Sequence, residues 1–192
     1  MTALRSTDGI LTPEEYLAFE MESQHRHEFV GGRIYAMAGT TVIHGEICGN
    51  IYAALHSQLR GKPCRPFFTE IKLKVRALSE ENYYYPDVMV ACDPADNAAL
   101  WRERPTVVFE VVSPSSARTD FEKFYIYQHV ATLQLYAIVE QDRSMVTTIL
   151  RTADGWQRAH LTDPTAQLPL DAIGCQLSLA QIYEGIDFAA AK

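Results

Sequence analysis

The chain has 192 residues, 47% of them hydrophobic, and a formal net charge of −7. That length and apolar content suit one globular domain spanning residues 1–192, and with no signal-like or membrane-length apolar run the expectation is a cytoplasmic protein with no membrane partner. The acidic balance counts against a sequence-independent nucleic-acid coat, which is normally basic, but leaves room for an enzyme with one basic face.

Thr12-Pro13-Glu14-Glu15 marks a helix start: Thr12 can cap, Pro13 suits the first helical position and Glu15 completes a capping box, with the helix running to about residue 23. Two short apolar runs, 27–30 and 33–37, flank Gly31-Gly32 and read as a hairpin with a primed turn. His25 and His27 have strand spacing and read as exposed histidines. A second helix is expected over residues 42–60, because Ile43, Ile47, Ile51, Leu55 and Leu59 recur every four residues. Gly61 and Pro63 terminate it.

Residues 67–75 read as a strand, 77–82 as its turn and 83–91 as its partner. The tyrosines Tyr83, Tyr84 and Tyr85 read as strand formers rather than base-stacking platforms. Pro86 removes a ladder donor, so this strand lies at an edge or changes course just before Asp87. After a loop at 93–97, Thr106 to Val112 is apolar on both faces, as a central strand should be. Thr119-Asp120-Phe121-Glu122 reads as a second capping box, opening a helix over 120–130. A buried strand follows at 133–139, then a hairpin of 145–151 with 156–160, and a short helix at 178–184. The four cysteines form no C-x-x-C pair and read as free thiols in a reducing compartment. The order predicts an α/β domain with a mixed sheet flanked by helices, an N-terminal helix and hairpin, and a crossover helix that makes the 106–112 and 133–139 strands parallel.

Two acids break this apolar pattern. Asp87 interrupts Tyr83 to Val90, and Glu110 interrupts Thr106 to Val112. Burying an uncompensated carboxylate costs several kcal/mol or more, so a compensator is expected. If Asp87 lies on the strand next to that of Glu110, the two carboxylates can share one oxygen site suited to Mg²⁺ or Mn²⁺, which supports hydrolysis of a phosphodiester. Lys123 is placed at about the fourth position of its helix, where a cation is disfavoured by roughly 0.3–1 kcal/mol. Pointing at a carboxylate or an anion would explain it. Tyr127, one turn on, faces the same way.

These residues resemble the Uma2 family, a branch of the PD-(D/E)XK nuclease superfamily. The matching pieces, over about residues 11–160, are His27-Glu28-Phe29-Val30-Gly31-Gly32, His44, Tyr85-Pro86-Asp87-Val88, Glu110-Val111-Val112-Ser113-Pro114-Ser115, Lys123 with Tyr127, and the strand through Tyr136. The resemblance implies a restriction-endonuclease-like core and metal-dependent cleavage of DNA, with a homodimer as the usual acting unit. Asp87 and Glu110 would bind metal. The superfamily lysine position is Val112 here, which points to Lys123 from the following helix as the substitute. Glu70 and Glu46 are further candidate metal ligands, and Glu28 and His44 are candidates near the metal or substrate. The missing lysine also motivates a rival reading, a catalytically inactive nuclease-fold module that binds nucleic acid or a partner protein.

Overall fold

The computed structural model describes residues 10–37, 39–68, 70–77, 79–112 and 117–189, with backbone alone over 117–121. The Ser113 to Ser116 part of the expected motif lies outside the described residues. Helix α1, Pro13–Glu22, opens with the expected capping box. Strands β1, His27–Val30, and β2, Arg33–Ala36, pair across Gly31 and Gly32, whose φ angles of 56° and 77° demand glycine. Helix α2, Val42–Leu59, buries Ile47, Ile51, Leu55 and Leu59 along the predicted stripe.

The expected 67–75 and 83–91 strands are each cut in two. Strand β3, Arg65–Phe68, and β4, Lys72–Ala77, belong to different sheets, as do β5, Glu80–Tyr84, and β6, Val88–Ala91. Both breaks lie between runs that are each strand-like, so periodicity alone does not reveal them. Pro86 marks the second one: the chain leaves one ladder and enters the other just before Asp87. Strands β7, Trp101–Arg102, β8, Pro105–Val112, β9, Leu135–Glu140, β10, Val146–Thr152, and β11, Gly155–Leu161, complete the set, with helix α3, Ala117–Tyr127, between β8 and β9. A 3₁₀ turn at Asp171–Ile173 and helix α4, Leu179–Ile182, follow.

The single mixed sheet expected is therefore two sheets. One runs β2-β1-β5-β4-β7 and the other β11-β10-β9-β8-β6-β3. Strand β8 is central, antiparallel to β6 and parallel to β9, as the α3 crossover requires. One face of the larger sheet packs Val107, Phe109 and Val111 against Ile47, Cys48 and Ile51 of α2. The other packs Val108 and Val112 with Tyr127, Tyr136 and the β4 residues Leu73 and Val75. Tyr83, Tyr84 and Tyr85 are all buried, in keeping with a packing role. Among the described residues, no helix is long and apolar enough to cross a membrane.

Three expectations are corrected. Helix α3 begins at Ala117, so Thr119 is inside its first turn and Lys123 is its seventh residue, beyond the reach of the N-terminal dipole. Cys64 and Cys92 are not free thiols but form a disulfide. They flank the β3–β6 ladder, whose register pairs Arg65 with Ala91, so the next pair outward is Cys64 opposite Cys92. Only strand register brings these two together. His27 is not exposed: its side chain is 3% accessible.

His27 belongs to a buried network that ties α1 to the start of the second-sheet crossing. Glu20 Oε1 accepts from the His27 amide at 3.0 Å and from the Tyr85 hydroxyl at 2.8 Å, while Glu20 Oε2 lies 2.9 Å from His27 Nδ1. The Tyr16 hydroxyl donates to the His27 carbonyl at 2.7 Å. Glu20→Ala should cost about 3 kcal/mol, because it strands an amide and two side-chain groups away from water. Thermal melting would read this as a fall of roughly 6–12 °C. A fall of a degree or less would show that the network contributes little.

Candidate functional site

Asp87 sits in the turn of chain that carries the backbone from β5 to β6. Its Oδ2 accepts from the Val111 amide at 2.7 Å, which pins it against the end of β8, beside Glu110. Its Oδ1 lies 3.2 Å from His44 Nε2, with the two side chains 15% and 17% exposed. His44 is held at the start of α2 by Thr41, whose Oγ1 accepts from the His44 amide at 3.1 Å and donates to Gln141 Oε1 at 2.8 Å. One turn on, Cys48 Sγ lies 3.6 Å from His44 Nδ1. Burial, with the charges of Asp87 and Glu110 added, pushes the Cys48 thiol pKa well above its ordinary value.

Glu110 shares a face with Val108 and Val112, so it points toward α3. Its Oε1 accepts from the Tyr127 hydroxyl at 3.0 Å and lies 3.4 Å from Lys123 Nζ. The i, i+4 spacing of Lys123 and Tyr127 on α3 puts both on this one carboxylate. Tyr127 is fully buried, and burial followed by the Glu110 charge drives its phenol pKa well above the usual range. It therefore serves Glu110 as a hydrogen-bond donor.

Glu28, on β1, lies across from Glu110. Lys123 Nζ is 2.9 Å from Glu28 Oε1 and so bridges two buried carboxylates, one from each sheet. Although the ion pair is close, neither Glu28 oxygen receives a hydrogen bond from the described residues. A cleft lined by Glu28, Tyr35, Tyr84 and Lys123 opens beside the pair. Lys123 also stands 6.0 Å from the centre of the Tyr84 ring.

The other candidates lie further out. Glu46 is exposed in the second turn of α2. Glu70 lies past the end of β3, not on a strand, and is mostly exposed and paired with Arg26, whose Nε is 2.9 Å from Oε2. Cys48 was missed as a site residue. Its signal was its i+4 spacing from His44, which puts both side chains on one helix face.

The carboxylates offer the kind of oxygen donor that a divalent cation takes. Glu110 and Glu28 are buried with an ammonium between them, and Glu28 Oε2 receives no hydrogen bond from the described residues. Asp87, 15% exposed, is held by the Val111 amide one residue along β8 from Glu110. Oxygen donors of this kind suit Mg²⁺ or Mn²⁺.

The comparisons with known proteins agree with this architecture. Residues 13–181 match the family model described as "Uma2: Putative restriction endonuclease". The "Uncharacterized protein slr1290" of Synechocystis sp. is 32% identical over 180 residues, which cover 93% of this chain and 94% of that one. The "Uncharacterized protein sll1609" of the same organism is 31% identical over 140 residues, 71% of this chain and 78% of that one. The crystal structure of "a putative nuclease belonging to DUF820" from Anabaena variabilis superposes with a TM-score of 0.72 at 17% identity, over 90% of this chain and 97% of that one, and so shares the fold. The chain is a member of the Uma2 family and has its nuclease-type α/β fold.

Proposed function

We propose that the protein is a metal-dependent endonuclease acting on DNA, with residues 1–192 forming one nuclease domain. What supports this is that the Val111 amide holds Asp87 one residue along β8 from Glu110, onto which α3 delivers Lys123. Asp87 and Glu110 would hold Mg²⁺ or Mn²⁺. A bound cation of this kind polarises the scissile phosphate and lowers the pKa of a water nucleophile. Tyr127 fixes the orientation of Glu110 through its hydroxyl. Glu28 holds the Lys123 ammonium beside Glu110, where it can orient the attacking water or offset charge on the phosphate. In this reading Glu46 and Glu70 lie outside the reacting groups.

A local basic groove supports a nucleic-acid substrate despite the net charge of −7. Tyr52 and His56 continue the His44–Cys48 stripe along α2, roughly 12 and 18 Å from His44 at helical rise. With Arg60, Lys62, Arg65 and Phe67 they line one groove. Cations and aromatic faces together suit a phosphate backbone and its bases. The proposal includes a homodimer on duplex DNA, so that both strands are cut, and a cytoplasmic setting. There the Cys64–Cys92 bond would be an exception to the reduced state usual for thiols.

Purified protein incubated with supercoiled plasmid and Mg²⁺ or Mn²⁺ should give nicked and linear products that vanish on chelation. Single-stranded DNA and RNA in parallel set the substrate class. If no nucleic acid is cut under any metal while DNA or a protein partner is still bound, the inactive binding module is the better account. Metal should also stabilise the fold. At about a hundred times its Kd, a ligand bound only to the native state adds roughly 2.7 kcal/mol, which for a chain of this size raises the Tm by about 5–11 °C. An unchanged melting curve at saturating metal counts against the site.

A further inference from the structure

We propose that His44, Cys48 and Asp87 form a separate transition-metal site, selective for Zn²⁺ or Co²⁺ over Mg²⁺, that shares Asp87 with the hydrolytic centre. One ligand atom from each of the three lies within 4.8 Å of the other two. His44 Nε2 lies 3.2 Å from Asp87 Oδ1 and the other ring nitrogen, Nδ1, lies 3.6 Å from Cys48 Sγ; only one of the two nitrogens can serve a given ion. Tetrahedral zinc, with bonds of about 2.0–2.3 Å, sets its ligands roughly 3.3–3.8 Å apart, so donors within 4.8 Å of one another reach that geometry by closing in by about 1 Å.

The donor set argues for the metal class. Imidazole and thiolate suit zinc, cobalt and their neighbours, whereas Mg²⁺ takes oxygen and has little use for sulfur. The site is also built. His44 and Cys48 are one turn apart on α2, the spacing by which a helix presents two ligands to one ion. Thr41 fixes the start of that helix, and the Val111 amide holds Asp87 Oδ2, turning Oδ1 to His44. Cys48 is 2% exposed and Asp87 and His44 are partly open. Three protein ligands leave a fourth coordination position to water or another donor. Binding would replace the Cys48 S–H by a metal–sulfur bond and release that proton to solvent.

Sharing Asp87 has a consequence for the proposed nuclease, and this part rests on that reading. An ion held by His44, Cys48 and Asp87 withdraws Asp87 Oδ1 from Mg²⁺, so Zn²⁺ should inhibit Mg²⁺-supported cleavage.

Binding is tested on the full chain, metal-free, under nitrogen and without reductant so that the Cys64–Cys92 disulfide stays closed. Co²⁺ titration should produce a near-ultraviolet sulfur-to-cobalt charge-transfer band that saturates at one ion per chain. Cys48→Ser should abolish the band and Cys175→Ser should keep it. If Cys48→Ser does not fold, His44→Gln, at a partly exposed position, should weaken Co²⁺ binding by roughly a hundredfold. Absence of the band in the native chain, or its survival in Cys48→Ser, overturns the site whether or not the protein cuts DNA. If the chain does cut, stoichiometric Zn²⁺ should suppress most of the Mg²⁺-supported rate, and Cys48→Ser, referred to its own zinc-free rate, should lose that sensitivity. Cleavage indifferent to Zn²⁺ in a chain that shows the band overturns the sharing of Asp87. A chain that cuts nothing but shows the band leaves the metal site standing and removes the nuclease reading.

Discussion

Asp87→Asn and Glu110→Gln should each reduce metal-dependent cleavage by roughly a thousandfold or more, about 4 kcal/mol of transition-state stabilisation. Each amide is close in shape to the acid it replaces and keeps an acceptor oxygen. The asparagine oxygen could still accept from the Val111 amide, and the glutamine oxygen from the Tyr127 hydroxyl, the contacts that Asp87 and Glu110 make at 2.7 and 3.0 Å. What the substitutions remove is negative charge, which a divalent cation needs and those neutral hydrogen bonds do not. Stability without metal should therefore change little, by about 1 kcal/mol or less, a Tm shift of roughly 4 °C at most. The stabilisation by Mg²⁺ or Mn²⁺ should disappear in the same variants. Cleavage by either amide variant at the native rate would sink the assignment. Loss of cleavage with an equally large loss of Tm would assign the acid a structural role instead.

Lys123→Met is expected to have the largest effect on stability. The Lys123 side chain is 10% exposed, and its two carboxylate partners, Glu28 and Glu110, are 2% and 4% exposed. Removing the ammonium leaves two buried like charges without their common counter-ion, which costs about 3–5 kcal/mol. For a chain of this size that is a fall of roughly 6–20 °C in Tm. Adding Glu28→Gln removes one of the stranded charges and should restore most of the lost stability. The double variant also separates two roles for Lys123. If Lys123 only balances charge, the double variant recovers cleavage together with Tm. If it acts on water or phosphate, Tm returns and cleavage does not. A melting temperature unchanged in Lys123→Met would show that the bridge between the sheets contributes nothing.

Much of this fold follows from local patterns. The α1 capping box, the Gly31-Gly32 hairpin and the four-residue stripe of α2 depend on neighbours in the chain, and all three are present as expected. The parallel pairing of β8 with β9 follows from a helix between two buried strands. Local pattern misled where two structures were compatible with it. Thr119 to Glu122 has the composition of a capping box, yet α3 starts at Ala117. Residues 67–75 are strand-like throughout, yet they serve two sheets.

The chemistry divides along the same line. Asp87 and Glu110 stand out in the linear chain because a charge inside an apolar strand needs a compensator wherever the strand is placed. Which compensator each one finds is decided by contacts remote in sequence, and no periodicity encodes those. Glu28 reaches Lys123 only because β1 and α3 meet over β8. Cys64 meets Cys92 only through the β3–β6 register, and Cys48 joins His44 and Asp87 only once α2 packs on the larger sheet. Most of the elements, and the two acids that break the apolar pattern, were thus legible in the amino-acid order. The partners that give each acid its charge balance, and the Cys48 thiol beside His44 and Asp87, come together only in the folded chain, because they depend on packing between segments that carry no information about each other until they touch.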